Sequence, residues 1–309
     1  MRYLVTGGAG FIGSNIVAEL VKRRETVRVF DDLSTGKKEN LTDVLKTIEF
    51  VHGDIRNAAA LSEAMRGVDV VLHQAALPSV PRSVRDPLSS HEVNATGTLN
   101  LLLAAREAGV RRVVNASSSS VYGDSPALPK HEGMATNPLS PYAVSKLAAE
   151  RYCSVFARLY GMETVSLRYF NVFGPRQDPQ SQYAAVIPKF ITSMLNKKEP
   201  TIFGDGEQSR DFTYVANVVE ANLLAATATF EYGHAVNCSC GQRITLNELV
   251  GRINGLVNTS LSARHDEERA GDIKHSLGSI EMAKKLFGYE ASVSFDEGLK
   301  KTISWYQHS

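Results

Sequence analysis

The sequence predicts an α/β protein: a doubly wound parallel sheet followed by a smaller α/β C-terminal domain. Three observations carry this. Short apolar runs alternate with amphipathic stretches up to about residue 170. Gly7, Gly10 and Gly13 stand between the first apolar run and the first amphipathic stretch. Beyond residue 170 the alternation loosens, and Gly174, Pro175, Pro179, Pro188, Pro200, Gly204 and Gly206 punctuate the chain.

Taken in order, residues 3–5 read as the first strand and 13–23 as the first helix. Strands follow at 26–30 and 48–51, a helix at 58–66 and a strand at 68–73. A helix over 88–108, a strand over 112–116, a helix over 140–160 and a strand over 164–168 continue the pattern. Regular alternation of this kind implies helices on both faces of a parallel sheet. The first domain is placed at 1–170 and the second at 171–309, with a segment near 211–235 expected to return to the first.

The chain has 309 residues, 43% of them hydrophobic and 22% charged, enough for a substantial core. A net charge of +1 gives no electrostatic case for nucleic acid or an anionic membrane as partner. No apolar run is long enough to predict a membrane span. Met1 leads directly into a strand-like segment, and the only cysteines are Cys153, Cys238 and Cys240, so a cytoplasmic setting is expected. Cys238-Ser239-Cys240 lacks a second pair, and no metal is predicted.

The segment Thr6-Gly7-Gly8-Ala9-Gly10-Phe11-Ile12-Gly13 follows a strand and opens a helix. Glycines there let the backbone approach a pyrophosphate, whose charge is met by N–H groups at the helix start. Asp31 stands eighteen residues past Gly13, at the end of the second strand. A carboxylate in that position accepts from a ribose diol and repels a 2′-phosphate, which predicts NAD over NADP. Lys37 and Lys38 lie too far along the loop to reverse that preference. Asp54-Ile55 is placed to meet the adenine, and Asp54 is equally suited to cap a helix. In His73-Gln74-Ala75-Ala76 the small alanines let a dinucleotide lie close, and His73 reads as structural.

Tyr142 and Lys146 are four apart, which on a helix sets them on one face, one turn from each other. An ammonium near a phenol favours the phenolate and makes a tyrosine usable as a general base near neutral pH. Ser117-Ser118-Ser119-Ser120 lies at the carboxyl end of the fifth strand, where open parallel sheets bind ligands. A serine there can share a proton with a substrate hydroxyl and the tyrosine.

Glycine loop, acidic strand end, serine run and Tyr-x-x-x-Lys occur in the order of one family. The chain resembles the extended short-chain dehydrogenases/reductases, and among them the nucleotide-sugar 4-epimerases, over essentially its whole length. Segments 31–36, 78–84, 167–175 and 204–212 add to the likeness. The resemblance implies a Rossmann sheet holding NAD and a UDP-sugar site in the C-terminal part. It implies NAD contacts from Gly7, Gly10, Phe11, Ile12, Gly13, Asp31, Asp32, Leu33, Ser34, Thr35, Gly36, Asp54, Ile55, Gln74, Ala75 and Ala76. Asn94 would cap the active-site helix region and Phe170 would lie near the nicotinamide. Tyr142 is implied as the base, Lys146 as the group that lowers its pKa and binds the nicotinamide ribose, and Ser118 as the assistant at the sugar hydroxyl, with Ser119 as its alternative. Asn171 would touch the diphosphate. Arg210 and Arg269 would hold the UDP phosphates, for which a planar guanidinium fork is suited.

Related 4,6-dehydratases carry an acid pair where this chain has Ser119 and Ser120, and related decarboxylases a glutamate at the position of Ser120. Epimerisation is therefore the implied reaction. Non-catalytic nucleotide sensors on the same fold usually lose the tyrosine or lysine kept here. Ser276 falls where the resembling epimerases line the pocket near the sugar's C2 substituent, so UDP-N-acetylglucosamine is expected beside UDP-glucose. UDP-glucuronate is the close alternative, with Arg82 or Arg85 available to its carboxylate. The helices at 88–108 and 140–160 carry apolar faces that pair across a two-fold axis in relatives, so a homodimer is expected.

Overall fold

The computed structural model describes residues 1–180, 185–268 and 274–308. In chain order it contains β1 (Arg2–Thr6), α1 (Phe11–Lys22), β2 (Thr26–Asp31), β3 (Glu49–His52), α2 (Ala58–Ala64), β4 (Val70–His73), α3 (Val80–Arg85), α4 (Pro87–His91), α5 (Gly97–Glu107), β5 (Arg112–Ser118), α6 (Pro141–Tyr160) and β6 (Glu163–Tyr169). There follow β7 (Val172–Phe173), α7 (Val186–Leu195), β8 (Thr201–Phe203), β9 (Ser209–Arg210), β10 (Thr213–Tyr214), α8 (Val215–Thr227), β11 (His234–Cys238), β12 (Ile244–Thr245), α9 (Leu246–Val257), β13 (Arg264–Asp266), α10 (Glu281–Phe287) and α11 (Phe295–His308).

Seven strands form one sheet in the order β11-β6-β5-β4-β1-β2-β3. Every pairing in it is parallel. Side chains alternate between faces along a strand, and here both faces are dry. Tyr3, Val5, Val70, Leu72, Val114 and Leu167 face one cluster, closed by Ile16, Val17 and Leu20 of α1 and Val218 and Ala221 of α8. Leu4, Val71 and Val113 face the other, closed by Leu61 of α2, Leu101 and Ala105 of α5, and Phe156 of α6. A third cluster joins Phe190 and Met194 of α7, Ile202, Phe212, Leu249 and Ile253 of α9, and Phe295 and Leu299 of α11.

Three of the differences from the sequence reading have a clear local cause. Strand β4 begins at Val70, not at residue 68, because Val68 N–H closes a turn on the Met65 carbonyl. Helix α1 begins at Phe11, since Gly10 is its cap and accepts from Ser14 N–H. The helix expected over 88–108 is interrupted by a π-helical turn, Glu92–Thr96, which sets Asn94 on the buried side. Among the described residues no helix is long and apolar enough to cross a membrane.

Candidate active site

Because all seven strands run one way, their carboxyl ends share one edge, and Asp31, His73 and Ser118 end β2, β4 and β5 there. The glycine loop joins β1 to α1. Gly7 has φ +65°, and a Cβ on it would lie 2.6 Å from Ala75 N. A Cβ on Gly13 would lie 2.1 Å from the Gly7 carbonyl oxygen. Only glycine fits either position, and the result is a backbone cradle. No side chain caps the start of α1 at Gly10, so its first-turn N–H groups keep their capacity for an anion. These features fit a dinucleotide.

Asp31 ends β2 beside this cradle and is buried. Its two oxygens accept from Ala9 N–H at 2.9 Å and Leu33 N–H at 2.8 Å, while burial raises its pKa. A Cβ on Gly36 would come within 2.9 Å of the Asp31 carboxylate, so the 31–36 turn wraps the acid closely. Asp32 accepts from Ser34 N–H and Oγ. Lys37 is held by Asp178 at 2.7 Å and Lys38 stacks on Phe50, which directs both to other partners. Asp54 pairs with Arg56 at 2.6 Å, and this keeps its carboxyl low; the cap of α2 is Asn57, not Asp54. Gln74 is fixed between Tyr169 and Asn222. Asn94 accepts from Leu77 N–H and donates to Ser145 Oγ, which ties the loop after β4 to α6. His73 lies between Thr6 and Thr98 hydroxyls, and burial pushes its pKa down to about 3.

Helix α6 begins cleanly. Ser140 Oγ accepts from Ala143 N–H, Pro141 occupies the first position, and Gly161 closes the helix in the left-handed region. Tyr142 and Lys146 share one face of it. Burial raises the Tyr142 phenol, and hydrogen bonding with Ser118 lowers it. Ser118, rather than Ser119, is thus the serine that the fold sets against the phenol. Its Oγ also accepts from Ser120 N–H. Lys146 donates to the Ala116 carbonyl at 2.8 Å, and burial pushes its pKa down to about 8. The expected lowering of the Tyr142 phenol by Lys146 is absent from this geometry, because the ammonium is turned to the strand carbonyl.

The ends of β5 and β6 are neighbours in register, Ser118 facing Tyr169. The next two residues carry the site onward. The Phe170 ring is fully buried against Val121 and Tyr122, so it underlies the site. Asn171, with φ +31°, turns its amide to Ser276 Oγ at 3.2 Å and the Asp211 carbonyl at 3.4 Å. Ser276 is almost enclosed and also accepts from Asp211 N–H. Arg210 donates to the carbonyls of Ser209 and Lys274. Arg269 lies outside the described residues.

Sequence reasoning missed two parts of this site. Asp211 is fully buried; its carboxylate collects N–H groups of Cys240, Gly241 and Gly278, and burial raises its pKa to about 6. It pins the segment carrying Ser276, and no local pattern announces such long-range partners. Glu150 and Arg168 form a buried pair beneath Lys146. A signal for Glu150 existed: it lies eight residues past Tyr142, on the same helix stripe as Lys146.

The family model described as NAD dependent epimerase/dehydratase matches residues 3–239. A putative UDP-glucose 4-epimerase of Methanocaldococcus jannaschii is 40% identical over 309 residues, 99% of this chain and 98% of that protein. The structure of a UDP-N-acetylglucosamine 4-epimerase from Methanobrevibacter ruminantium, in complex with UDP-N-acetylmuramic acid, superposes with a TM-score of 0.95 at 41% identity, covering 99% and 98% of the two chains. A Thermus thermophilus UDP-glucose 4-epimerase in complex with NAD gives a TM-score of 0.92 at 38% identity over the full length of both.

Proposed function

The chain belongs to the NAD dependent epimerase/dehydratase family, and from that premise we propose that it inverts C4 of UDP-N-acetylglucosamine and UDP-glucose, with NAD as cofactor. The observation that carries this reading is the pairing of Ser118 with Tyr142 one helical turn from Lys146, with serine, not acid, at 119 and 120. Bound NAD supplies a hydride acceptor and donor for the sugar carbon. Tyr142 takes the proton from the sugar O4 and later returns it; Ser118 shares that proton and orients the hydroxyl. Lys146, whose ammonium rests on the Ala116 carbonyl in this geometry, would have to turn from it to bring its charge to the phenol, and it offers a donor for the ribose. The 4-keto sugar turns about its diphosphate link between the two transfers, held by Asn171, Arg210 and Arg269. With serine at 119 and 120, neither of those positions supplies an acid to eliminate water.

The small side chain of Ser276, bonded to Asn171, supports a reading in which room is left near the sugar for an N-acetyl group. A Tyr there would fill that space. Ser276→Tyr is expected to lower the turnover ratio of UDP-N-acetylglucosamine to UDP-glucose by about 100-fold, measured by steady-state kinetics with each sugar. Equal loss on both sugars would remove Ser276 from the specificity argument.

A second chain completes the proposal. Val144, Tyr152, Val155 and Leu159 form an exposed apolar stripe on α6, with Val84, Leu88 and Leu103 exposed on the neighbouring α3, α4 and α5. Exposed apolar side chains on four neighbouring helices support a two-fold homodimer.

A further inference from the structure

Three successive residues at the end of β5 meet three residues of one α6 stripe. The Ala116 carbonyl receives Lys146 at 2.8 Å, Ser117 Oγ donates to Glu150 at 2.6 Å, and Ser118 faces Tyr142. Tyr142, Lys146 and Glu150 stand at intervals of four, so they form one line along the helix. Glu150 is the anchored end of that line. Arg168 of β6 grips both its oxygens at 2.8 and 2.9 Å. Arg168 is itself held by the Tyr122 hydroxyl, which donates to Asn237 on β11. Both charged partners are nearly sealed from solvent.

We propose that Glu150 is a positioning residue for the reaction: its carboxylate, locked by Arg168 and Ser117, keeps the Lys146 ammonium charged and seated at the end of β5. This rests on the reading of Lys146 as part of the catalytic group. The groups facing Lys146 can be enumerated. Its own helix supplies Tyr142, Glu150 and Cys153; β4 supplies His73; β6 supplies Arg168 through Glu150; β5 supplies the uncharged Ala116, Ser117 and Ser118. Among the described residues Glu150 is the carboxylate of this set, and it raises the Lys146 pKa against burial ahead of Cys153. His73 stays neutral because its pKa is about 3. Removing Glu150's charge takes away the main opposition to burial and leaves the guanidinium of Arg168 without its counter-ion.

The test reads Lys146 directly. Protein labelled with carbon-13 at the lysine ε position is titrated by NMR, the Lys146 signal being assigned by its loss in Lys146→Met. In the unaltered protein it is expected to titrate near pH 8. In Glu150→Gln it is expected about one pH unit lower or more, the size of losing a close counter-charge. A purely structural role predicts the opposite sign, because a loosened helix exposes Lys146 and moves its pKa up towards 10.5. Should Glu150→Gln fail to fold, Glu150→Gln/Arg168→Met removes both charges; a smaller fall is expected there. A Lys146 titration that is unchanged or raised in the folded variant would overturn the proposal. Turnover separates the two claims: a fall in kcat at constant KM supports both, whereas the expected NMR shift with unchanged kcat shows that Glu150 sets the Lys146 charge but overturns its role in the reaction and counts against Lys146 in catalysis.

Discussion

The Tyr142 phenol sits among groups that pull its proton affinity in opposite directions. Burial raises it, Ser118 lowers it, and Lys146 stands one turn away with its ammonium on the Ala116 carbonyl. A buried phenol serves as a base near neutral pH only if a nearby cation offsets its burial. Tyr142→Phe keeps the ring and deletes the proton-transfer atom. It is predicted to lower kcat by about 100- to 10,000-fold with KM little changed, as measured by a coupled or NMR assay. Loss of tenfold or less would show that another group is the base. At this scale the sequence was informative wherever the chemistry is local. Gly7 and Gly13 are glycine because a neighbouring backbone atom occupies the space of a Cβ, and that constraint is written in their spacing. The Tyr-x-x-x-Lys interval follows from helix geometry alone. The direction in which Lys146 points does not, because it depends on a strand carbonyl thirty residues earlier.

Helix α6 performs two tasks on two faces. One face buries Lys146 and Glu150 against β5, and the other leaves Val144, Tyr152, Val155 and Leu159 exposed. The proposed homodimer uses the second. Val155→Asp places a charge in the middle of that stripe, far from any solvating partner in a dimer. It is predicted to halve the mass measured by light scattering while leaving the helix content unchanged. An unaltered mass, whether monomeric or dimeric in both proteins, would remove this stripe from the interface. The amphipathic period of α6 was legible, and so were its cap and stop signals, Ser140, Pro141 and Gly161. The π-helical turn at Glu92–Thr96 was not. Its residues have ordinary helical propensity, and it is set by Asn94 bonding Leu77 and Ser145 across the fold.

At the scale of the molecule, the parallel sheet brings residues distant in sequence to one edge and buries titratable groups beneath it. His73 is such a group. Its pKa is about 3 when folded against 6.5 when free, so the folded state refuses a proton that the unfolded state binds. Its contribution is complete above pH 6.5 and is lost as pH falls towards 3, with a slope of about 1.4 kcal/mol per pH unit. His73→Asn is therefore predicted to lose stability less steeply than the parent between pH 6 and pH 4, by denaturant titration. Equal slopes would contradict a neutral buried His73. The order of strands and helices was readable from apolar periodicity, because both faces of the sheet are dry. The cluster of Asn171, Asp211 and Ser276 was not, because it is assembled from segments 40 to 105 residues apart. The central claim, a UDP-sugar 4-epimerase that retains its NAD, is tested most directly by proton NMR of the purified protein with UDP-N-acetylglucosamine and, separately, UDP-glucose, with no cofactor added. Each sugar is expected to be converted to its C4 epimer with no other product. Absence of any conversion, persisting after NAD is supplied, would contradict it.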